Sequence, residues 1–459
     1  MELKSPRSLR VNAAKCDAKP TISAIGLGQV GVDVAAGLAH SGHRVVGVDF
    51  NQSRLSRFAR GTRTARSENS SDELRRAGAK GLISTTEDLA AAVRGTDVSF
   101  VSIAVPVRSD GSPDTCRLEQ AARAMAVGLC QKEAFHVFAV HCAVPPGTTL
   151  GVVVPILEAI SRKTAGRDFG ISVSSSFSDQ DAVRPRNETR TRPVIGASDL
   201  RTARIMRRLL APGEEDLCVT TIETAEMVAH AATARDVLTK CFDDEINRLC
   251  RALGVNGPLV MEMVSPGDSQ TTSRDSAFAV GGRRCAESLQ TLSQAASAHG
   301  LSLPLLENLE LSHVEQVTQA LRLVRAAKVK RVGVLGLAHL WGTDDFHQSP
   351  VFDILAQLSA DGVELYGHDM ALTSDRKRRE LCAEIGTGSA KMQKLAQDLP
   401  DILCQEIERV VSHAELVLVC HPLPAYRVAL EWSGTPAIDL AGLYRSAPQG
   451  VDVQGLGWS

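Results

Sequence analysis

The sequence predicts an α/β fold in three parts: an α/β domain, a long central helix and a second α/β domain. Residues 21–200 alternate short β-branched runs with amphipathic helical stretches, a pattern typical of a parallel sheet with crossover helices. Near residue 220 the apolar positions change to a helical period, and the α/β pattern returns at residue 331. A chain of 459 residues has room for two or three such domains.

The first α/β part has four predicted strands, at residues 21–25, 43–48, 98–103 and 135–140. A glycine-rich turn follows the first strand and leads into a helix over residues 30–41. The last two strands are each followed by a turn that contains proline. Strands separated by helices in this way predict crossover connections between parallel neighbours.

The central part is one helix of about 33 residues, or about 50 Å at 1.5 Å per residue. Thr220 and Glu223 have the spacing of a capping box at its start, and Gly254 stands where a helix usually ends. Apolar residues recur with a period of about 3.6 between these ends. They are Ile222, Ala225, Val228, Ala232, Leu238, Phe242, Ile246, Leu249 and Leu253. A helix of this length joins domains or forms the core of a dimer.

The third part returns to short β-branched runs. They predict strands at residues 331–337, 363–366, 415–420 and 437–440. The sequence contains no short repeat and no low-complexity tract, so the three parts are expected to fold as ordinary globular domains.

Composition excludes several classes of function. The formal net charge is −2 and charged residues make up 23% of the chain, so no global basic field favours nucleic acid or acidic lipid. No apolar run approaches the length that spans a bilayer. Residues 1–20 carry charges and no apolar core, which predicts a disordered tail and argues against a secretory signal.

The cysteines and histidines show no pattern of a metal site. The 11 cysteines form no C-x-x-C pair and the 12 histidines no H-x-x-x-H pair. Two histidines adjoin a cysteine, but neighbours in sequence seldom share a metal. We therefore expect free thiols, a cytoplasmic location and no bound metal.

A glycine-rich turn predicts a dinucleotide site. Residues 25–31 read IGLGQVG, which fits G-x-G-x-x-G between a predicted strand and a predicted helix. Gly26 permits the tight turn, Gly28 lets the backbone approach a pyrophosphate, and Gly31 allows close packing of helix on strand. Asp49 ends the second strand, where a carboxylate binds ribose hydroxyls and favours NAD over NADP. Arg54 either reaches the adenosine phosphate or lies on the helix surface.

These features predict an NAD-binding Rossmann domain. The alternative is a Rossmann domain that keeps its glycines only for packing.

Several further segments, in order along the chain, resemble one known family. They read VSF at 98–100, DGSPD at 110–114, VPPGT at 144–148, ETAEM at 223–227, FAVGGRRCAESL at 278–289, LGL at 335–337 and GTDD at 342–345. Together they are similar to the UDP-glucose and GDP-mannose dehydrogenase family, and the GDP-mannose branch resembles the chain most. The resemblance covers nearly the whole chain after residue 20.

The resemblance implies a fold and an activity. Family members have an N-terminal Rossmann domain, a central helical domain through which they form dimers, and a C-terminal Rossmann-like domain for the nucleotide of the sugar. The expected domains are residues 21–215, 216–325 and 326–459, after the tail at 1–20. Such proteins oxidise C6 of a nucleotide sugar twice, with two NAD and a thioester on a cysteine. The implied substrate is GDP-mannose or UDP-glucose, and the implied assembly is a homodimer.

The residues that carry this chemistry in the family are replaced here. By position, the catalytic threonine corresponds to Ala143, a glutamate to Ser176, an asparagine to Thr233, a lysine to Thr239, the cysteine to Arg284 and an aspartate to Ser288. In the third domain a lysine corresponds to Leu340 and an arginine to His347. Losing one oxyanion donor lowers a rate about 10²–10³-fold, and an arginine forms no thioester.

We interpret the chain as a pseudoenzyme linked to polysaccharide biosynthesis, which keeps NAD or nucleotide-sugar binding without the catalytic set. One alternative is an active enzyme that uses Lys240 and Cys285, each one residue past the expected position. One residue turns a helical side chain by about 100°, whereas Cys285 lies in a predicted loop, where a shift is easier. The other alternative is a two-electron alcohol dehydrogenase with His141, His339 or His347 as its base.

Overall fold

The computed structural model of the protein describes residues 19–61, 68–108, 112–174, 194–210, 217–264, 278, 281 and 283–458, the last range without 340, 342–345, 347–348, 373, 445, 447 and 449. These residues fall into two compact units. The first takes in the described residues up to 103, together with 121–140 and 156–171. The second takes in 104–120, 141–155 and the described residues from 172 onward. Most of the predicted tail at 1–20 lies outside the described residues.

The first unit is built on a sheet of short strands. They are β1 (Ile22–Ile25), β2 (Val45–Val48), β3 (Ile83–Thr86), β4 (Val98–Val101), β5 (His136–Val140) and β6 (Phe169–Ser174), in the order β3-β2-β1-β4-β5-β6, and β1 to β5 pair in parallel. The helices along this part of the chain are α1 (Gln29–His40), α2 (Gln52–Arg60), α3 (Glu68–Ala79), α4 (Leu89–Gly95), α5 (Cys116–Cys130) and α6 (Val154–Ser161). A π-helical turn, Thr149–Val153, directly precedes α6. Because parallel neighbours need crossover connections, helices and strands alternate as the sequence predicts.

The first strands that lie wholly in the second unit are β7 (Val194–Ala197) and β8 (Cys218–Thr220), which pair with each other in parallel. β7 also pairs in antiparallel orientation with residues 172–174 at the end of β6. Its helices before the second sheet are α7 (Leu200–Leu210), α8 (Ile222–Leu253), α9 (Gly257–Val264), α10 (Arg283–Ala298), α11 (Pro304–Glu307) and α12 (Leu309–Ala327). Across the described helices, none is both long and apolar enough to cross a bilayer.

A second parallel sheet ends the chain. Its strands are β9 (Arg331–Leu335), β10 (Glu364–His368), β11 (Leu416–Val419), β12 (Ala437–Asp439) and β13 (Val453–Gly455), in the order β10-β9-β11-β12-β13. The helices of this part are α13 (Pro350–Ala360), α14 (Asp375–Ile385), α15 (Ala390–Ile402), α16 (Ile407–His413) and α17 (Pro424–Ser433). Fully buried residues of β9 and β11, such as Val334 and Leu418, form the centre of its core.

The predicted fold class is confirmed, with two α/β parts and one long helix between them along the chain. All eight predicted strands correspond to observed ones, with ends that differ by one or two residues. β3, β6, β7, β8 and β13 were not predicted. These strands are three to six residues long, and most carry glycine, serine or threonine, so no apolar run marks them. The domain boundaries at residues 215 and 325 stay predictions.

α8 is the predicted long helix and has 32 residues. Thr221 caps its N-terminus, since the side-chain oxygen accepts a hydrogen bond from the Thr224 N–H at 3.3 Å. The prediction of Thr220 as the cap is wrong by one residue, because Thr220 is the last residue of β8 and pairs with β7. Gly254 ends the helix with φ +70°, as predicted.

The two faces of α8 differ from the single apolar face that the sequence predicts. The buried face includes ionisable residues, among them Glu226, His230, Asp243 and Asp244. Meanwhile Phe242, Leu249 and Leu253 are 50%, 54% and 68% exposed. These three apolar residues share one face, because separations of seven and eleven residues equal about two and three helical turns. We name Phe242, Leu249 and Leu253 the apolar stripe of α8.

The last strand of the chain is fastened to the end of α8 by one arginine. The Arg251 guanidinium donates to the carbonyl oxygens of Gly455 and Trp458, the second at 2.6 Å, and to Oε1 of Gln454 at 2.9 Å. The indole of Trp458 covers Gly455 so closely that a Cβ there would overlap it. Burial lowers the pKa of Arg251, but the guanidinium keeps its charge. β13 therefore depends on a residue about 200 positions away in the sequence.

A chain of buried polar side chains crosses the first sheet. Ser23 on β1 lies opposite Ser99 on β4, with 2.6 Å between their hydroxyl oxygens. Ser99 Oγ lies 2.8 Å from Nε2 of His136, and Nδ1 of His136 lies 3.0 Å from the carbonyl oxygen of Thr96. That carbonyl fixes the proton on Nδ1 and leaves Nε2 to accept from Ser99. Burial, helped by the charge of Lys132, lowers the pKa of His136 from 6.5 to about 3.

We expect the free energy of unfolding to fall as the pH drops from 6.5 towards 3, because His136 protonates in the unfolded chain but not in the folded one. The unfolded state then binds the extra proton, so stability rises with pH in this window by at most about 1.4 kcal/mol per pH unit. His136→Gln removes the titrating group and should flatten this dependence. Urea denaturation of both proteins at several pH values between about 7 and 4 measures it.

The difference between the two curves separates His136 from the carboxyl groups that titrate in the same range. A difference that stays constant across the window would contradict a neutral buried imidazole.

Candidate functional site

The glycine-rich turn of the first unit has the geometry of a dinucleotide site. Gly26 has φ +90°, and a Cβ there would overlap the carbonyl oxygen of Ser102. A Cβ on Gly31 would overlap the carbonyl oxygen of Gly26, so helix and strand touch at this point. A Cβ on Gly28 would meet no atom within 4 Å. Packing therefore explains the first and third glycines but not the second, which leaves an open approach to the backbone.

The start of α1 suits an anion. Gly28 is its N-cap residue and has no side chain to occupy the amides of the first turn. An uncapped helix start offers N–H groups and the positive end of the helix dipole to phosphate oxygens. The open backbone at Gly28 and the uncapped helix start thus fit the pyrophosphate of NAD.

Asp49 fixes this turn from the end of β2. Its Oδ2 accepts a hydrogen bond from the Leu27 N–H at 2.9 Å, and its Oδ1 accepts one from the Asn51 N–H at 2.9 Å. Arg54 donates to the same Oδ2 at 3.3 Å and is 48% exposed at its side chain. The structure therefore brings together the predicted cofactor residues Gly26, Gly28 and Gly31 with Asp49 and Arg54.

A second centre lies within the second unit, where α8 meets the loop at residues 144–149. Both carboxylate oxygens of Glu226 accept backbone hydrogen bonds, Oε2 from Gly147 at 2.5 Å and Oε1 from Thr149 at 2.9 Å. Glu226 is 2% exposed, and burial raises the pKa of its carboxyl. Gly147 has φ +89°, so the loop needs glycine at the position that Glu226 binds. One buried side chain of α8 thereby fixes the path of this loop.

His230, one turn further along α8, joins three segments. Its Nε2 lies 2.9 Å from the carbonyl oxygen of Val144, and its Nδ1 lies 3.2 Å from Oγ of Ser288 on α10. The carbonyl requires a proton on Nε2, so Nδ1 accepts from the Ser288 hydroxyl. Both His230 and Ser288 are 2% exposed. The predicted position Ser288 is thus part of an internal hydrogen-bonded chain.

The two threonines predicted as replacements bond to their own helix. Thr233 Oγ1 donates to the carbonyl oxygen of Ala229 at 3.1 Å, and Thr239 Oγ1 donates to that of Arg235 at 2.9 Å. Such bonds to the preceding turn are ordinary for helical threonines. Neither hydroxyl donor is left for a ligand. Ala143 is exposed beside the Val144 loop and carries no polar group.

Lys240 and Cys285, the candidates for a one-residue shift, are both engaged elsewhere. α8 is α-helical through Lys240, so this side chain faces about 100° from that of Thr239. The Lys240 ammonium lies 2.5 Å from Oδ1 of Asp244, whose side chain is 7% exposed. Cys285 lies in the first turn of α10, and the prediction that it sits in a loop is wrong. Its side chain packs against an apolar cluster centred on Val237, Cys241 and Leu309.

Other predicted positions fall partly or wholly outside the described residues. Ser176, Leu340 and His347 are outside, and Arg284 is described only as a helical residue of α10, without its side chain. His141 and His339 are each 8% exposed.

Sequence reasoning missed the role of His230 and the anchoring role of Glu226. The local pattern holds one trace of them, since Glu226, His230 and Thr233 recur at spacings of four and three in a helix. Those spacings place the three side chains on one face of the helix, but the distant residues that they bond to are not encoded in them.

At the first turn of the second sheet, the backbone amides are already bonded to a side chain of the protein. Asp369, the first residue after β10, accepts hydrogen bonds from Leu337 N at 2.7 Å and Ala338 N at 2.9 Å. Gly336 has φ +98°, and a Cβ there would overlap the ring of His421. Nε2 of His421 lies 2.8 Å from the carbonyl oxygen of Ala338. Unlike the turn at Gly28, this one keeps its amides for internal bonds.

Comparisons with known proteins agree with this geometry. Two models of the UDP-glucose/GDP-mannose dehydrogenase family match the chain, the NAD binding domain over residues 20–213 and the UDP binding domain over residues 333–442. GDP-mannose 6-dehydrogenase of Pseudomonas aeruginosa is 27% identical over 401 residues, which cover 87% of this chain and 90% of that protein.

A second relative and a solved structure are similar as well. UDP-glucose 6-dehydrogenase AglM of Haloferax volcanii is 26% identical over 368 residues, which cover 78% of this chain and 85% of that protein. The structure of a UDP-glucose dehydrogenase from Pyrobaculum islandicum matches with a TM-score of 0.81 and 25% identity, over 98% of this chain and 100% of that one.

Replacing Glu226 tests the loop anchor. We expect Glu226→Ala to lower the free energy of unfolding by about 2–4 kcal/mol, because two backbone N–H groups lose their buried acceptors. Glu226→Gln keeps one acceptor oxygen and should lose less. Glu223→Ala, an exposed glutamate in the first turn of the same helix, is the matched control and should change stability by less than about 1 kcal/mol. Equal losses for Glu226→Ala and Glu223→Ala in urea denaturation would refute the anchor.

Proposed function

Because the chain belongs to the UDP-glucose/GDP-mannose dehydrogenase family, we propose that it binds NAD and a nucleotide sugar but does not perform the cysteine-dependent four-electron oxidation. The family assignment gives it an NAD-binding domain and a UDP-binding domain. The sugar nucleotide proposed is of the GDP-mannose or UDP-glucose type, since similar proteins carry those names. The chain would then serve polysaccharide biosynthesis as a regulatory or scaffolding protein, a pseudoenzyme.

We assign the pyrophosphate of NAD to the backbone at Gly26, Gly28 and Gly31 and to the start of α1. The open space at Gly28 supports this assignment, because packing gives no other reason for a glycine there. Asp49 would accept the ribose hydroxyls with the lone pairs that its backbone bonds leave, and Arg54 lies at the same corner. Bound NAD supplies a hydride acceptor.

The proposed loss of oxidation is supported by the surroundings of the Lys240 ammonium and the Cys285 thiol. The Lys240 ammonium is paired with the buried carboxylate of Asp244. This carboxylate offsets the positive charge with which an ammonium would stabilise an oxyanion. The Cys285 side chain packs against an apolar cluster, and apolar surroundings disfavour a thiolate. We therefore propose that neither Lys240 nor Cys285 takes up the role of the replaced residues.

The apolar stripe of α8 supports a homodimer. Phe242, Leu249 and Leu253 are exposed on one side of this 32-residue helix, and exposed apolar side chains of this size gain free energy when they are covered. The ten cysteines in the described part of the chain are thiols and not disulfides, which supports a cytoplasmic location.

One assay separates this proposal from active enzymes. Purified protein with NAD and either GDP-mannose or UDP-glucose should give no NADH absorbance, while calorimetry should detect NAD binding. Arg284→Cys alone should not restore turnover, because the aspartate, lysine and asparagine positions remain Ser288, Thr239 and Thr233. Two NADH per sugar, abolished by Cys285→Ala, would refute the pseudoenzyme. One NADH per sugar that survives Cys285→Ala would point to two-electron oxidation instead.

Sedimentation velocity tests the dimer. We expect Leu249→Glu to weaken self-association about 30-fold or more, because a charge would be buried in the centre of the interface. Val428→Glu places the same charge on α17, where the valine is 65% exposed, and should leave the dimer intact. A wild-type protein that sediments as a monomer, or a dimer that survives Leu249→Glu, would exclude an interface through this stripe.

A further inference from the structure

A large aromatic side chain is exposed beside the predicted ribose site. Phe50 directly follows Asp49 at the carboxyl end of β2, and it is 74% exposed. A phenyl ring has no polar group to satisfy, so water contact over most of its surface is unfavourable. An exposed ring next to a ligand site is therefore a candidate surface for a flat apolar part of that ligand.

The backbone on both sides of Phe50 is held in place. Asp49 Oδ1 accepts from the Asn51 N–H at 2.9 Å, which closes a tight turn around Phe50. Asn51 in turn caps α2, since its side-chain oxygen accepts from the Ser53 N–H at 2.9 Å and the Arg54 N–H at 3.2 Å. The backbone that carries the ring is thus fixed by hydrogen bonds, so that binding a ligand here has to order only the Phe50 side chain.

The order of groups in NAD places adenine at this corner. The pyrophosphate lies at the turn of Gly28, and the ribose of the adenosine half lies at the carboxylate of Asp49. Adenine is attached to that ribose on the side away from the phosphate, so it extends past Asp49 to the next residue. A purine stacks on an aromatic ring with a favourable contribution that is independent of hydrogen bonding.

We propose that Phe50 is the surface on which the adenine of NAD stacks, which makes the adenosine half a main anchor of the cofactor. This inference rests on the NAD site proposed above. It adds a residue that neither the glycine fingerprint nor the acidic residue of β2 identifies.

The second sheet contains an internal comparison. Asp369 and Met370 follow β10 as Asp49 and Phe50 follow β2, and Met370 is 55% exposed. The turn that Asp369 holds has both amides, of Leu337 and Ala338, bonded to its carboxylate. Met370 therefore shares the topological position and the exposure of Phe50 but lies beside a closed turn.

Calorimetric titration of the full chain with NAD and with ADP-ribose tests the proposal. Phe50→Ala should weaken both ligands by about 5- to 150-fold, the range found when a stacked aromatic residue is removed. Phe50→Tyr should bind both within about 3-fold of wild type, because it keeps the ring. Met370→Ala, the matched control in the second sheet, should bind NAD as wild type does. Because Phe50 is exposed, its removal should leave thermal unfolding unchanged.

The outcomes distinguish this inference from the proposed function. A wild-type protein that binds neither NAD nor ADP-ribose would overturn the NAD site itself. NAD binding that is equal in wild type and Phe50→Ala would overturn only the role of Phe50. A loss for NAD with no loss for ADP-ribose would also overturn it, since stacking acts on the part that both ligands share.

Discussion

Carboxylates that accept backbone N–H groups hold the three turns on which this molecule depends. Asp49 binds the amide of Leu27 in the first sheet, Glu226 binds the loop at residues 147–149, and Asp369 binds two amides in the second sheet. Each of these turns contains a glycine with positive φ. Glycine is the residue with the greatest backbone freedom, so it does not by itself hold the chain in this conformation. A charged acceptor with a fixed position compensates for that freedom. Each of these backbone corners is thereby held by hydrogen bonds to a carboxylate.

A carboxylate bonds to turn amides in both sheets, but only the turn of the first sheet leaves space beside its glycine. At the first turn one amide is bound to the carboxylate, and the open side of Gly28 stays accessible. At the second turn the carboxylate takes two successive amides, and His421 fills the space above Gly336. Two parallel sheets with the same local topology therefore differ in what they leave for a ligand. The difference lies in hydrogen-bond partners and not in the fold, which is why the fold alone does not assign function.

Local patterns gave most of the fold, and contacts between distant residues limited the rest. Gly26, Gly28, Gly31 and Asp49 were predicted because their roles depend on a strand, a turn and a helix adjacent in sequence. The hydrogen bonds of His230 join residues 58 and 86 positions apart, and no local pattern encodes such pairs. For Phe242 the period indicated an apolar face but not whether the chain itself covers it. Cys285 was placed in a loop by a family pattern of glycines, yet the chain becomes helical two residues before it.

The attachment of the last strand by Arg251 has a consequence for how the protein behaves in concentrated solution. β13 is the outer strand of its sheet, and an outer strand offers unpaired carbonyl and amide groups to strands of other molecules. The carbonyl of Gly455 accepts from Arg251, and its N–H donates to the carbonyl of Trp458 at 3.1 Å. A guanidinium and an indole ring thus cover one end of an edge that would otherwise template intermolecular pairing. Resistance to aggregation at this edge therefore depends on the long helix, which carries Arg251, as well as on the sheet.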